Sequence, residues 1–316
     1  MTKKERVLSV FAGKQPDKIP AGFWFHFNGS YSVDEMAEAH LQFYRKTDMD
    51  IVKVMQDYIY QIDQSIQTPS DWYRLKMPGR ESAVYQKLET VLKKIVAEVN
   101  GEALVFQTMF GPFKAASFMF GDALLMAHSK EDPKAVAAGI QNIAESLQEW
   151  AAGYLNAGAD GIYLTAQFGE VGRFTKEEWE MLVRPSDLMV LNVAASRSEK
   201  YNILHICGEP EYDFKVHLDR FPNYPGDIVN WSVKDTGMSL AEGRKLFHRP
   251  ILGGMNNKGA ILTGSIEEIR EEAQACIRSA GDTKGFMLGA DCTIQGKNIS
   301  VEKIAAAVAA AHDFKL

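Results

Sequence analysis

Gly161-Ile-Tyr-Leu-Thr-Ala-Gln167 is a short apolar run, and Asn202-Ile-Leu-His-Ile-Cys207 is another. Between them stands Thr175-Lys-Glu-Glu178, whose hydroxyl and carboxylate have the spacing that satisfies orphan backbone donors at a helix start. The order is therefore strand, helix, strand. Working outward, the same alternation repeats. Further apolar runs lie at Ile19–Phe27, Ile51–Asp57, Leu104–Phe110, Asp227–Trp231, Pro250–Met255 and Gly285–Ala290. Ser265-Ile-Glu-Glu268 is a second capping box, and Ala135–Leu155 and Val301–Phe314 carry the three-to-four spacing of packed helices. Eight strands alternating with helices predict a single α/β domain over residues 1–316, a (β/α)8 TIM barrel. The gap Tyr58–Ala103 is long and holds Thr68-Pro-Ser-Asp-Trp72 and Met77-Pro-Gly79. It reads as a loop excursion over the barrel mouth followed by a helix around Tyr85–Val99.

In such a barrel, chemistry sits where strands end and the following loops begin. Side chains two apart on a strand share a face, so His205 and Cys207 point the same way. Cys292 follows the eighth run. A His and two Cys at strand ends can hold one Zn²⁺ and leave its fourth position open, which is the catalytic arrangement rather than the structural one. Cys276 reads differently. With Ile266, Ile269, Ala273, Ile277 and Ala280 it forms one helical stripe and belongs to the core.

Other polar residues at strand ends are His26, Asp57, Gln107, Gln167, Glu170, Asn230 and Asn256. Glu170 is either a displaceable fourth ligand or proton acceptor, or a solvated loop carboxylate. Asp57 orients a histidine, binds substrate or makes a local ion pair. His26, in an aromatic run, lines the mouth or packs there, and Gln167 and Asn230 are candidate hydrogen-bonders to substrate. Gly253 and Gly254 let the backbone turn at the end of the seventh strand. His40, His128, His217, His248 and His312 lie in helical or loop stretches and are expected at the surface.

The chain has 316 residues, 46% of them hydrophobic, and a formal net charge of -6. Mild acidity without a Lys/Arg cluster argues against a nucleic-acid partner. No run approaches the ~18 apolar residues of a membrane span. The start, Met1-Thr-Lys-Lys-Glu-Arg6, has no apolar leader, and the 3 cysteines are too few for a disulfide framework. A cytoplasmic protein is expected.

Several motifs together resemble one superfamily: Lys4-Glu-Arg-Val-Leu8, Pro16-Asp-Lys-Ile-Pro20, Gly158-Ala-Asp-Gly161, His205-Ile-Cys-Gly208, Gly253-Gly254 and Gly264-Ser-Ile-Glu-Glu-Ile269. It joins uroporphyrinogen decarboxylase with corrinoid-linked, zinc-dependent methyltransferases of the methylcobamide:coenzyme M type. The methyltransferase branch carries His-x-Cys followed far downstream by Cys, intact here as His205, Cys207 and Cys292. That resemblance implies a bound Zn²⁺, a small-molecule thiol as methyl acceptor, and a corrinoid on a separate partner protein as donor. The decarboxylase branch has Arg-Gln-Ala-Gly-Arg after strand one, where this chain has Phe25-His-Phe-Asn-Gly29. Its aspartate after strand two is matched by Asp57. Its later tyrosine, serine and histidine fall near Phe118, Ala166 and Ala290. A lyase acting on a tetrapyrrole or another carboxylic acid, with Asp57 central, is the alternative.

Overall fold

The computed structural model describes residues 1–60, 62–296 and 299–316. Eight strands form one all-parallel sheet: β1 (Ala21–Gly22), β2 (Ile51–Val54), β3 (Leu104–Phe110), β4 (Gly161–Ala166), β5 (Tyr201–Ile206), β6 (Ile228–Trp231), β7 (Ile251–Met255) and β8 (Phe286–Ala290). The order β1-β8-β7-β6-β5-β4-β3-β2 bends into a nearly closed barrel with helices outside, a (β/α)8 fold. Both capping boxes form, at Thr175 and at Ser265.

β1 and β2 share no ladder, and Asp50 bridges that seam. Its backbone N–H donates to Ala21 O (3.0 Å), and its carboxylate accepts from Ala21 N–H (2.8 Å). The same buried carboxylate takes Arg6 Nη1 at 2.6 Å and His312 Nε2 at 2.9 Å. The N-terminal helix Lys3–Phe11 is thereby anchored, and it sends Val7 and Val10 into the barrel's own core of Ile51, Phe106, Tyr163, Ile203, Leu252 and Met287.

Alternation along each strand decides what rises above that core. On β4 the inward series is Tyr163 then Thr165, on β5 Ile203 then His205, and on β6 Ile228 then Asn230. The ladder sets Thr165, His205 and Asn230 side by side. Apolar residues thus fill the barrel floor, and polar ones form the layer above them at the C-terminal ends.

The structure corrects several sequence expectations. The first strand is two residues rather than the whole of Ile19–Phe27. Phe23 N–H turns to Met49 Sδ at 3.1 Å, and the chain rejoins the sheet only through a single bridge from Phe25 to Ile294. Among the described residues, the Tyr58–Ala103 excursion lines the mouth with Tyr58, Ile59 and Tyr60. The stretch Leu75–Gly79 instead packs on the outer helix Pro133–Asn156, where Asn142, Ser146 and Trp150 donate to Leu75 O, Met77 O and Gly79 O. His40 and His128 are buried rather than exposed, because each imidazole has a partner inside. His40 Nε2 accepts from Met55 N–H at 2.9 Å, and His128 Nδ1 accepts from Trp72 Nε1 at 3.0 Å. His312 is likewise mostly covered, paired with Asp50.

Candidate metal centre

A cavity of about 640 Å³ opens at the C-terminal mouth of the barrel, and His205, Cys207 and Cys292 line it together. Cys207 extends β5, with its N–H donating to Ala166 O at 2.9 Å. Cys292 sits on the loop after β8, and that loop is fixed from both sides. Asp291 N–H donates to Met255 O (2.7 Å), the Asp291 carboxylate accepts from Lys234 N–H (3.0 Å), and Ile294 N–H donates to Trp24 O (3.1 Å).

The three ligand atoms all lie within 4.8 Å of one another. Cys207 Sγ is 3.6 Å from Cys292 Sγ, and Cys292 Sγ is 3.4 Å from His205 Nε2. A tetrahedral zinc with its usual bond lengths would set two sulfurs about 3.8 Å apart and a sulfur and a nitrogen about 3.6 Å apart. Two of the three edges match those lengths, and Cys207 Sγ and His205 Nε2 lie within 4.8 Å, so the set closes on a zinc ion with a small side-chain adjustment, and the cavity lies beside it.

Asn230 fixes the imidazole. Its Nδ2 donates to Leu252 O at 2.8 Å and to Ala290 O at 3.1 Å. The amide can then present only its oxygen to His205 Nδ1, with which it is hydrogen-bonded. The proton sits on Nδ1, and the Nε2 lone pair faces the sulfurs. Gly253 makes room for this: its φ is +148°, and a Cβ there would stand 3.0 Å from Asn230 Nδ2. Asn230, expected from sequence as a hydrogen-bonder to substrate, is fully buried outside the cavity lining, and its hydrogen bonds are made within the barrel.

The two thiols share charge as a pair. Cys292 is held well below the usual thiol range by the hydrogen bond from the Cys207 S–H, and Cys207 is pushed well up by the Cys292 sulfur. Metal binding requires both as thiolates.

Glu170 does not join the cluster. It is completely buried, so it is no solvated loop carboxylate. It faces Arg173 at 3.5 Å, neither oxygen is hydrogen-bonded, and burial raises its pKa. Asp57 and His26 both line the cavity and hold each other: His26 Nδ1 is 2.6 Å from Asp57 Oδ1, and Asp57 Oδ2 accepts from Phe27 N–H at 2.8 Å. Asp57 thus has a local hydrogen-bonded partner in His26. Gln167 lines the cavity, its Nε2 donating to Glu209 Oε1 at 2.5 Å. Gln107 and Asn256 do not line it; Asn257 does. Cys276 packs on the core, with burial pushing its thiol up to about 12.

The sequence reading missed Lys53. It lies inside the barrel on β2 and lines the cavity. Its Nζ sits 3.8 Å from the centroid of Tyr163 and 4.7 Å from that of Trp24. Burial lowers its pKa to about 7, against the pull of negative charge on Cys292, Asp57 and Cys207. A lysine at the centre of the apolar run Ile51-Val-Lys-Val54 was the available signal.

The fold is an α/β-barrel that gathers one His and two Cys side chains at its mouth cavity. The chain belongs to the uroporphyrinogen decarboxylase family, whose model, described as Uroporphyrinogen decarboxylase (URO-D), matches residues 59–314. Among solved structures it is similar to a methyltransferase from Methanosarcina mazei, with 18% identity, TM-score 0.77 and 98% of each chain covered. It is also similar to a B12-independent methionine synthase from Shewanella sp. W3-18-1, solved with selenomethionine, at 11% identity and TM-score 0.61, covering 95% of this chain and 94% of that one. No protein of curated function is matched. Among the described residues, no helix is long and apolar enough to cross a membrane.

Proposed function

We propose that this protein is a zinc-dependent methyltransferase that moves a methyl group from a methylated corrinoid protein, or a similar donor, to a small-molecule thiol. The observation that carries the reading is the convergence of His205 Nε2, Cys207 Sγ and Cys292 Sγ on one open side of the mouth cavity. Support comes from the shared fold of the methyltransferase from Methanosarcina mazei over the whole chain. Zinc held there would keep a coordinated thiol as its thiolate at neutral pH, which a free thiol is only to a few per cent.

The protein's own residues supply the rest. Asn230 holds His205 with its lone pair forward. The Asp291 anchor sets Cys292 opposite Cys207. The cavity walls, with Tyr58, Phe110 and Phe118 among them, shield the sulfur from competing water and leave the mouth open to a donor from outside. The thiolate sulfur forms a bond to the methyl carbon as the bond from donor to that carbon breaks, the donor keeping the electron pair, and the thiol's proton leaves to solvent.

The family match favours one other reading, a lyase acting on a tetrapyrrole or another carboxylic acid, with Asp57 at its centre. Asp57 lines the cavity, but both its oxygens are engaged by His26 and Phe27.

Elemental analysis of wild type against Cys292→Ser, with methyl transfer from methylcobalamin to a panel of thiols, separates the two. Stoichiometric zinc lost in the variant, and transfer lost on chelation, is the expected result. Full turnover by zinc-free protein, or porphyrinogen decarboxylation retained in Cys207→Ser, would overturn the methyltransferase reading.

A further inference from the structure

Four cationic or imidazole side chains besides His205 line the cavity, and three of them are neutralised on the spot. His26 pairs with Asp57, Lys114 with Glu209, and Lys258 with Asp235. Lys53 is different. Among the described residues it has no carboxylate within ion-pair distance and no hydrogen-bond partner. Its ammonium lies over the faces of Tyr163 and Trp24, at 3.8 and 4.7 Å. Those rings hold more than the ammonium: both also pack against the His205 imidazole, at 5.3 Å from each other and with ring centroids 5.9 and 6.0 Å from it. A buried ammonium caged by aromatic rings, and left without a fixed anion, is costly to fold unless an anion arrives in function.

The charge balance of the centre identifies that anion. A dication with two thiolates and one neutral imidazole is neutral. A third thiolate, entering as RSH and releasing its proton to solvent, makes the centre carry one negative charge. We infer that Lys53 is a positioning residue whose ammonium, held by Trp24 and Tyr163, is the counter-charge for this anionic, thiolate-loaded state. The other charged and titratable groups facing it are Asp57 from the end of its own strand, Cys207 from the end of β5 and Cys292 from the loop after β8. In a low-dielectric barrel a fixed cation nearby favours the state that bears the extra negative charge. It acts on the bound sulfur whatever the rest of the substrate looks like. This inference rests on the proposed thiol-binding function.

The test uses cobalt(II) in place of zinc in the full chain, because thiolate-to-cobalt absorption reports thiol binding without turnover. Two probes are titrated: 2-mercaptoethanol, uncharged apart from its thiol, and 3-mercaptopropionate, with an anionic tail. Lys53→Met should keep stoichiometric cobalt and a wild-type melting temperature, yet bind both thiols at least about tenfold more weakly. Wild-type affinity for 2-mercaptoethanol in Lys53→Met overturns the inference, and so does a loss confined to 3-mercaptopropionate, which would make Lys53 a reader of substrate tails. Loss of cobalt with melting unchanged also overturns it, since removing a cation beside a cation site cannot weaken that site electrostatically. Should Lys53→Met fail to fold, Lys53→Gln takes its place in the same titrations. Wild-type protein that takes up no cobalt, or shows no thiol band, overturns the proposed function and this inference with it; a normal wild-type band with an unaffected variant overturns the inference alone.

Discussion

Asn230 stands beside His205 in the β5–β6 ladder and accepts the proton of its Nδ1. The amide has no freedom to turn over, because its nitrogen is committed to Leu252 O and Ala290 O. One residue thus sets both the tautomer and the tilt of a ligand it does not resemble in function. Partners of this kind around metal-bound histidines are worth about 10- to 100-fold in metal affinity. Asn230→Leu is therefore expected to weaken zinc binding by about that factor while leaving all three ligands in place. A chelator-competition titration checks it, and an affinity equal to wild type would show that the ring needs no such support.

The parts of this architecture that were readable from sequence are those set by local pattern. The run Leu104–Phe110 is a strand with the same bounds in the structure, and the capping boxes at Thr175 and Ser265 start helices as read. His205 and Cys207 follow from the two-residue repeat of a strand. Long-range pairing was not readable. His40 and His128 are buried by partners 15 and 56 residues away, which no local pattern announces. Asn230 carries the same amide whether it faces a substrate or a neighbouring ligand, and only the ladder register decides between them. Lys53 shares a face with Ile51, but which face of β2 points into the barrel is settled by closure of the whole sheet.

On the proposed function, metal binding and folding are coupled at this centre. Both thiols must lose protons to bind zinc, and the unfolded chain does not hold the three groups together, so bound metal stabilises the native state by mass action. Adding zinc in excess over its dissociation constant should raise the melting temperature of metal-stripped wild type, and the rise should shrink strongly in Cys292→Ser. Differential scanning fluorimetry suffices. An equal rise in both proteins would place the responsible zinc elsewhere.

Asp50 predicts a stability effect far from the mouth. Its buried carboxylate holds Arg6, Ala21 N–H and His312 at the β1–β2 seam. Asp50→Ala removes one partner of Arg6 at 2.6 Å, while Asp17 at 2.8 Å stays, and leaves the Ala21 N–H and His312 without their acceptor. Removing a buried acceptor that serves several donors costs about 1–3 kcal/mol. The neighbouring Asp48, 70% exposed and paired with Lys3, should contribute no more than about 1 kcal/mol. Urea denaturation of Asp50→Ala and Asp48→Ala gives the comparison, and similar losses in the two would remove the seam argument.

Asp187 makes the fold sensitive to pH. It is buried on the helix Arg184–Ala195 against the chain at Gly111, where its Oδ1 lies so close to the Gly111 Cα that a Cβ there would be 2.2 Å away. Burial raises its pKa to about 8 from 3.8, and a hydrogen bond from Tyr224 Oη at 3.1 Å only partly opposes the shift. The folded state therefore keeps a proton that the unfolded chain releases. The sign follows: the stabilisation is complete below about pH 4 and is lost progressively as pH rises to about 8, above which no more is lost. Asp187→Asn has nearly the same shape, retains an acceptor for Tyr224, and does not titrate. Its stability relative to wild type should climb steadily across that window. Parallel stability curves for the two proteins between about pH 4 and about pH 8 would mean that Asp187 is ionised in the fold, with a counter-charge that the geometry around Gly111 and Tyr224 does not supply.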